Sequence, residues 1–337
     1  MPVDETLSTY SDWCYGSAVG VYVLAMLFSL VDQAFGRHGT RVARARELVG
    51  AGAPVDPAER QEPASSDRAW EFAGAGAPVE ATDRPEPPGS SHRAERARRF
   101  GRMAVSLTVL GVGLHLAALA LRGLATGRVP WSNMYEYGAT LCLAAVITWL
   151  VVLRRFAIQH LSVWVLLPVI VLMFLGGVVL YTEAAPVQPA LQSYWLVIHV
   201  VSIALGSGMV LVPGVVSVLY LVKVRKPEWA GRLPAADVLD QVAYRTTVFA
   251  FPIYTAGVIF GAIWAESAWG RFWDWDPKET VAFVAWIVYA AYLHSRATAG
   301  WRGGRAAAIN IVGFAVMVFN LFFINLVVAG LHSYANG

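Results

Sequence analysis

Trp195-Leu-Val-Ile-His199-Val-Val-Ser-Ile-Ala-Leu-Gly-Ser-Gly-Met-Val-Leu-Val-Pro213-Gly-Val-Val-Ser-Val-Leu-Tyr-Leu-Val222 contains no Asp, Glu, Lys or Arg. About 20 apolar residues suffice for a helix to cross the hydrocarbon of a bilayer, so this stretch spans a membrane with residues to spare. Comparable runs lie near 16–36, 103–122, 137–153, 161–181, 246–264, 278–294 and 307–329, which makes about eight transmembrane helices. The chain of 337 residues is 57% hydrophobic and 15% charged, with a mean hydropathy of +0.52. That balance excludes a soluble globule of this length and predicts an all-α, polytopic integral membrane helix bundle.

The basic residues orient it. Lys and Arg stay on the cytoplasmic side of a membrane protein, and 22 of the 26 fall in the segments 37–102, 154–160, 223–245 and 295–306. Arg122, Arg128, Arg271 and Lys278 remain for the opposite face. Both termini and the loops after Arg122, at 182–194 and around residue 270 are therefore predicted to lie outside. Residues 1–15 carry Asp4, Glu5 and Asp12 but no Lys or Arg, so the first span lacks the basic region of a cleavable signal and is expected to remain as a helix. The net charge of +3 is a product of this inner-face bias and implies no nucleic-acid partner. Cys14 and Cys142 form no Cys-x-x-Cys pair, so thiol chemistry, if required, belongs to another protein.

Three parts follow: an outer segment with the first span (1–36), a linker (37–101) and a membrane domain (102–337). The linker is rich in Pro, Gly, Ser, Ala, Arg and Glu, has few large apolar side chains, and is read as disordered and cytoplasmic. It carries a near-duplication, Ala51-Gly-Ala-Pro-Val-Asp-Pro-Ala-Glu-Arg-Gln-Glu-Pro63 recurring as Ala75-Gly-Ala-Pro-Val-Glu-Ala-Thr-Asp-Arg-Pro-Glu-Pro87. Two copies do not make a solenoid.

The chemistry concentrates in the loop at 264–280. Asp276-Pro277-Lys278-Glu279 has the pattern of a helix start, with Asp as N-cap, Pro at the first helical position and Glu returning a bond to the cap. Asn133-Met-Tyr-Glu136 fits the same logic. An interfacial belt needs one or two tryptophans per helix end, whereas Trp264, Trp269, Trp273 and Trp275 fall within twelve residues. This excess implies a flat ligand. If the stretch is helical, Trp269 and Trp273 share a face at i, i+4, while Arg271 and Lys278 stand where ligand carboxylates could meet them. A porphyrin combines such an apolar plane with two propionates.

Trp269-Gly270-x-x-Trp273-x-Trp275-Asp276-Pro277-Lys278-Glu279, followed by Trp286, Tyr289 and Tyr292-Leu-His294, resembles the WWD signature of the haem-handling proteins of cytochrome c biogenesis. Within that superfamily the chain is most similar to the System II proteins of the CcsA or ResC type, some of which carry the label CcsB. Pro130-Trp-Ser-Asn-Met-Tyr-Glu136, Pro189-Ala-Leu-Gln-Ser-Tyr-Trp195 leading to His199, and Leu331-His332-Ser-Tyr334 agree. The likeness covers about residues 103–337 and leaves the duplicated linker outside.

His199 stands about four residues inside the outer end of its span and His332 just past the outer end of the last. Singly, each reads as an interface anchor; together with the tryptophan loop they are placed to clamp one iron. The resemblance implies that His199 and His332 are the axial pair of an external haem b, with Trp264, Trp269, Trp273, Trp275, Asp276, Arg271 and Lys278 around it. His294, about 25 Å along its helix from Pro277, is expected near the cytoplasmic face. There the resemblance makes it one ligand of an intramembrane haem whose other ligand comes from a ResB or CcsB companion. His115 lies at a different depth and reads as a polar packing group, and His38, His92 and His160 fall in inner loops.

The activity implied is attachment of haem to the Cys-x-x-Cys-His motif of an apocytochrome c, as part of a cytochrome c synthase (haem lyase) complex in a bacterial plasma membrane, with the site on the outer face. Thioredoxin-like proteins would keep the thiols reduced. This chain offers no Ser or Cys nucleophile beside a base, so its share would be binding and orientation. A transmembrane b-type electron-transfer subunit and a transporter without haem are the rival readings.

Overall fold

A computed structural model describes residues 3–35, 90–186, 193–228, 230–298, 300–328 and 330. Among these are eight long α-helices: α1 Glu5–Phe35, α2 Ser90–Thr126, α3 Met134–Arg155, α4 Ser162–Val178, α5 Tyr194–Arg225, α6 Ala236–Trp269, α7 Pro277–Ala297 and α8 Gly304–Phe319. A 3₁₀ turn, Gln159–Leu161, leads into α4, and a π-helical turn, Asn320–Ile324, continues α8. No strand occurs among the described residues.

Seven of the eight helices are long and apolar enough to cross a membrane. The exception is α7, 21 residues long, whose aliphatic run is interrupted by Trp286, Tyr289, Tyr292 and His294. The expected count of about eight therefore becomes seven apolar helices plus α7 packed among them. Helix ends also differ from the hydropathy limits. The apolar run of the first span begins at 16, but α1 begins at Glu5, capped by the Asp4 carboxylate accepting from the Thr6 and Leu7 amides at 3.0 and 3.1 Å. At its other margin the linker yields to helix early, because α2 starts at Ser90 and takes in His92, which was expected in a loop. Residues 36–89, with the duplication and His38, lie outside the described residues.

Small residues set how closely the helices approach. A Cβ on Gly206 of α5 would stand 2.7 Å from the Tyr254 Cα, and one on Gly257 of α6 would stand 2.8 Å from the Ile203 Cα, so backbones of α5 and α6 touch there. Such contacts are how transmembrane helices gain dispersion energy where lipid is as apolar as the side chains. Gly208 meets α3 at the Leu141 carbonyl, and Gly214 meets α8 at Phe314. In this way α5 becomes the central helix. The α1/α2 hairpin joins the rest through the Tyr15 hydroxyl, which donates to the Met173 carbonyl on α4 at 2.8 Å.

Successive helices run in opposite directions, which gathers two sets of ends. One set holds the starts of α1, α3, α5 and α7 with the ends of α2, α4, α6 and α8. It is tied by Asp4 to Ala125, Tyr181 to Asp12 and Lys278 to Asn325. The other carries Arg154, Arg155, Lys223 and Arg225 and the 2.7 Å pair of Arg296 with Asp240. Arg122, Arg128, Arg271 and Lys278 all belong to the first set. This is the charge asymmetry read from the sequence, realised in one bundle.

Candidate functional site

A cavity of about 450 Å³ lies at the first set of ends and reaches down along α5. Its volume falls in the range that holds small molecules and cofactors. His199, Trp264, Trp273 and Lys278 line it, joined by Trp131 from the loop before α3 and by Asn320 and Asn325 around the π turn. Most of the remaining lining is aliphatic or aromatic.

His199, five residues into α5, is half-buried. Its Nδ1 lies 2.8 Å from the Gly257 carbonyl oxygen on α6. A carbonyl can only accept, so Nδ1 carries the hydrogen and the neutral ring presents its lone pair at Nε2. That arrangement, with a backbone carbonyl fixing tautomer and ring direction, is how metal-binding histidines are commonly oriented. The ring lies parallel to Trp264, with 7° between planes and centroids 6.0 Å apart. Gly261 makes the place for it, since a Cβ there would stand 2.7 Å from Cε1 of His199. Gly257 and Gly261 form a Gly-x-x-x-Gly step of the kind that lets membrane helices approach. It is the one signal in the sequence that would have located the support for His199.

The tryptophan loop does not continue as helix. α6 ends at Trp269, Gly270 takes the left-handed conformation with φ 71°, and the chain turns before Asp276. Trp269 and Trp273 therefore share no helix face, and the expected i, i+4 pair is corrected to two aromatic groups. Trp264 and Trp269 meet edge to face at 4.8 Å beside His199. Trp273 and Trp275 meet at 5.8 Å, and both contact Phe283 of α7. Trp275 has φ 59°, a conformation bulky side chains rarely adopt, and is exposed.

Asp276 is the N-cap the sequence predicts. Its carboxylate accepts from the Lys278 amide at 3.1 Å, and Glu279 closes the capping box by accepting from the Asp276 amide at 3.2 Å. Glu279 also accepts from the Asp274 amide and lies 3.6 Å from Arg271, so it holds the loop as well as the helix. Arg271 pairs with Asp274 at 3.4 Å and lies over the Trp269 ring at 5.6 Å. Lys278 donates to Asn325 inside the cavity. Of the two expected carboxylate partners, then, Lys278 faces the cavity while Arg271 belongs to the loop.

His332 lies outside the described residues. Gly330, two residues before it, sits against the loop, where a Cβ would stand 2.7 Å from Asp276 Oδ1. His294 is exposed in the last turn of α7, at the opposite end of the bundle from His199, and does not line the cavity. His115 is fully buried on α2, 3.5 Å from the Tyr22 hydroxyl, edge to face with Tyr15 and Tyr22 and beside the Ala139 backbone. It is a packing group. His160, in the 3₁₀ turn, is buried rather than on a loop surface.

One cluster went unread in the sequence. Glu136, fully buried at the start of α3, pairs with Arg122 at 3.0 Å and Arg128 at 2.8 Å and accepts from the Ser132 amide at 2.9 Å. Asn133 does cap α3, with its side chain accepting from the Glu136 amide at 2.9 Å. Glu136 returns no bond to the cap backbone; it binds one residue earlier and takes the two arginines instead. Arg122 also reaches the Thr182 carbonyl and lies 3.7 Å from Asp12. Tyr181 donates to Asp12 at 2.7 Å, and burial followed by that carboxylate raises its phenol above the ordinary range. The cluster fixes the loop that carries Trp131 and Asn133 into the cavity wall.

The family model described as cytochrome C assembly protein matches residues 131–332, which include His199, the tryptophan loop and His332. The chain belongs to the cytochrome c assembly family. Its relatives include the cytochrome c biogenesis protein CcsA of Chlamydomonas reinhardtii, 34% identical over 69% of this chain and 69% of the relative. The CcsA proteins of Synechococcus sp. strain CC9902 and Thermosynechococcus vestitus are 35% and 31% identical over 68% and 71% of this chain, each covered to 86%. Cytochrome c biogenesis is the process these matches assign to this member of the family. Among solved structures, the cytochrome c haem lyase CcmF superposes with a TM-score of 0.56 at 18% identity, over 93% of this chain. The chain spans about half of that protein, 46% of its length, and the likeness is one of fold.

Proposed function

We propose that this protein binds haem in the cavity beside His199 and presents it for thioether attachment to the Cys-x-x-Cys-His motif of an apocytochrome c. The observation that carries the reading is the His199 ring itself. Gly257 fixes its tautomer, Gly261 makes room for it, and Trp264 lies parallel to it on the wall of a largely apolar cavity. Aromatic walls suit a porphyrin plane, and Lys278 with Asn325 supplies a polar pole for a propionate. His332, outside the described residues, is the second axial ligand in this reading, as the resemblance to the haem-handling proteins implies. The haem in this reading is haem b, whose two vinyl groups are the ones that thioether attachment consumes.

In the transfer, each cysteine sulfur of the apocytochrome bonds to a vinyl carbon and its proton goes to the neighbouring carbon, so no external oxidant is consumed. This chain acts by holding the plane and exposing the vinyl edge, and proximity supplies the acceleration. His294, exposed on α7, is set to share an inner haem with a histidine of a ResB or CcsB companion, and thioredoxin-like proteins supply the reduced thiols. The working face is the outer side of the cell membrane.

Purified protein is expected to carry sub-stoichiometric haem with a low-spin reduced b-type spectrum. His199→Ala should lower occupancy and abolish cytochrome c maturation in cells, with partial rescue by added imidazole. A folded protein that stays colourless after haem addition overturns the reading.

A further inference from the structure

The cavity is not closed on all sides. Among the residues lining it, Phe272 in the loop is 60% exposed, Val171 on α4 47% and Val318 on α8 38%. A side chain that borders a cavity and also reaches the outside stands where the wall is one residue thick. Phe272 marks such a place at the helix ends. Val171 and Val318 mark a second within the bundle, for Val171 lies seven residues before the end of α4, about 10 Å along the helix axis. At that depth the surroundings of an apolar helix are lipid.

The packing leaves this side of the cavity thin. α4 rests mainly on α1 and α3, α8 rests on α5 and α7, and α4 and α8 are not among the closely packed helix pairs of the described residues. The floor between them is α5, which contributes Ser207 and Leu211 to the cavity. Both walls carry a helix irregularity at this level. Pro168, in α4, lacks the N–H that would bond the carbonyl of Trp164. Two residues after Val318, α8 passes into the π turn Asn320–Ile324, a wider turn found mostly at functional places in helices. Walls built this way yield more readily than regular helix.

We propose that the gap between α4 and α8 is a lateral opening to the bilayer, through which haem enters and leaves the cavity from the lipid. The proposal rests on the haem reading above. The gap matches that ligand in polarity, offering an aliphatic rim at Val171 and Val318 for the macrocycle and the Lys278–Asn325 pair at the polar pole for a carboxylate. The other rim, at Phe272, belongs to the face where an apocytochrome would approach, so ligand entry and protein access use different sides.

The test is the rate of haem transfer from haem-loaded liposomes to the full-length protein in haem-free liposomes, followed by absorbance, and the rate of the reverse transfer. Val171→Trp with Val318→Trp is expected to slow both directions by about tenfold. Val171→Ala with Val318→Ala should speed both directions, and it keeps the proposal testable if the bulky pair disturbs folding. Phe272→Trp should leave the rates alone. Haem-binding variants with unchanged rates, or slowing by Phe272→Trp only, would overturn the lateral opening and leave the haem reading standing. A wild-type protein that takes up no haem would overturn both.

Discussion

The His199 ring is held by two glycines 58 and 62 residues further along the chain, and neither is chemically reactive. The three nearest atoms to a Cβ built at Gly261 all belong to that ring, the closest at 2.7 Å. Gly261→Ala is therefore expected to turn the imidazole away from the cavity and lower haem occupancy several-fold, with the helix content by circular dichroism unchanged. The measurement is the Soret absorbance per protein after purification, and occupancy equal to wild type would show that the glycine serves helix approach alone. His199 was legible in the sequence because a histidine inside an outer span end, next to a tryptophan-rich loop, is a chemical signal. Its supporting carbonyl was not, since a backbone oxygen carries no residue identity. The Trp269–Trp273 face failed for a related reason. A spacing of four implies a shared face only while the helix lasts, and Gly270 with φ 71° ends it.

Helix positions were largely readable, because apolar runs of membrane-spanning length leave few alternatives. Their ends were less so, and they moved wherever polar residues continued a helix beyond the apolar part, as at Glu5, Ser90 and Trp269. The loop before α3 shows what patterns within one segment cannot reveal. Glu136 reads as a capping residue, yet it neutralises two arginines, one on α2 and one in the α2–α3 loop, at 3.0 and 2.8 Å. With its side chain fully buried, removing the carboxylate leaves buried Arg122 with only Asp12 at 3.7 Å and takes the ion pair from half-buried Arg128, a loss of about 3 kcal/mol by the usual behaviour of buried pairs. Glu136→Ala should accordingly lower the thermal midpoint sharply and reduce the amount of folded protein in membranes. Adding Arg122→Met should recover part of that loss, because one stranded cation is gone. If the double variant is no more stable than the single, the charge balance is not what holds this loop.

Taken as a whole, the bundle separates His199 and His294 by the length of its helices, with His199 at one set of ends and His294 exposed at the other. In the proposed orientation the charge asymmetry puts the His294 end towards the cytoplasm. Deleting residues 50–90 should leave haem binding and cytochrome c maturation largely intact, since the segment falls outside the matched family region of 131–332. Lost maturation at normal protein level would reveal a docking role for it. His294 poses the sharper question, because its exposure on α7 leaves room for an imidazole from another chain, while His115 of α2 is buried against Tyr15 and Tyr22 of α1. If the inner site supplies the outer one, His294→Ala in the complex with its companion should deplete haem at both, whereas His199→Ala should deplete the outer site only. Haem content of each complex, isolated from cells and measured by pyridine haemochrome, distinguishes the two patterns. Supply through the lateral gap alone predicts a third, in which His294→Ala leaves the outer site loaded; that result would cut the inner site out of the route while leaving the His199 cavity as the place where haem is presented.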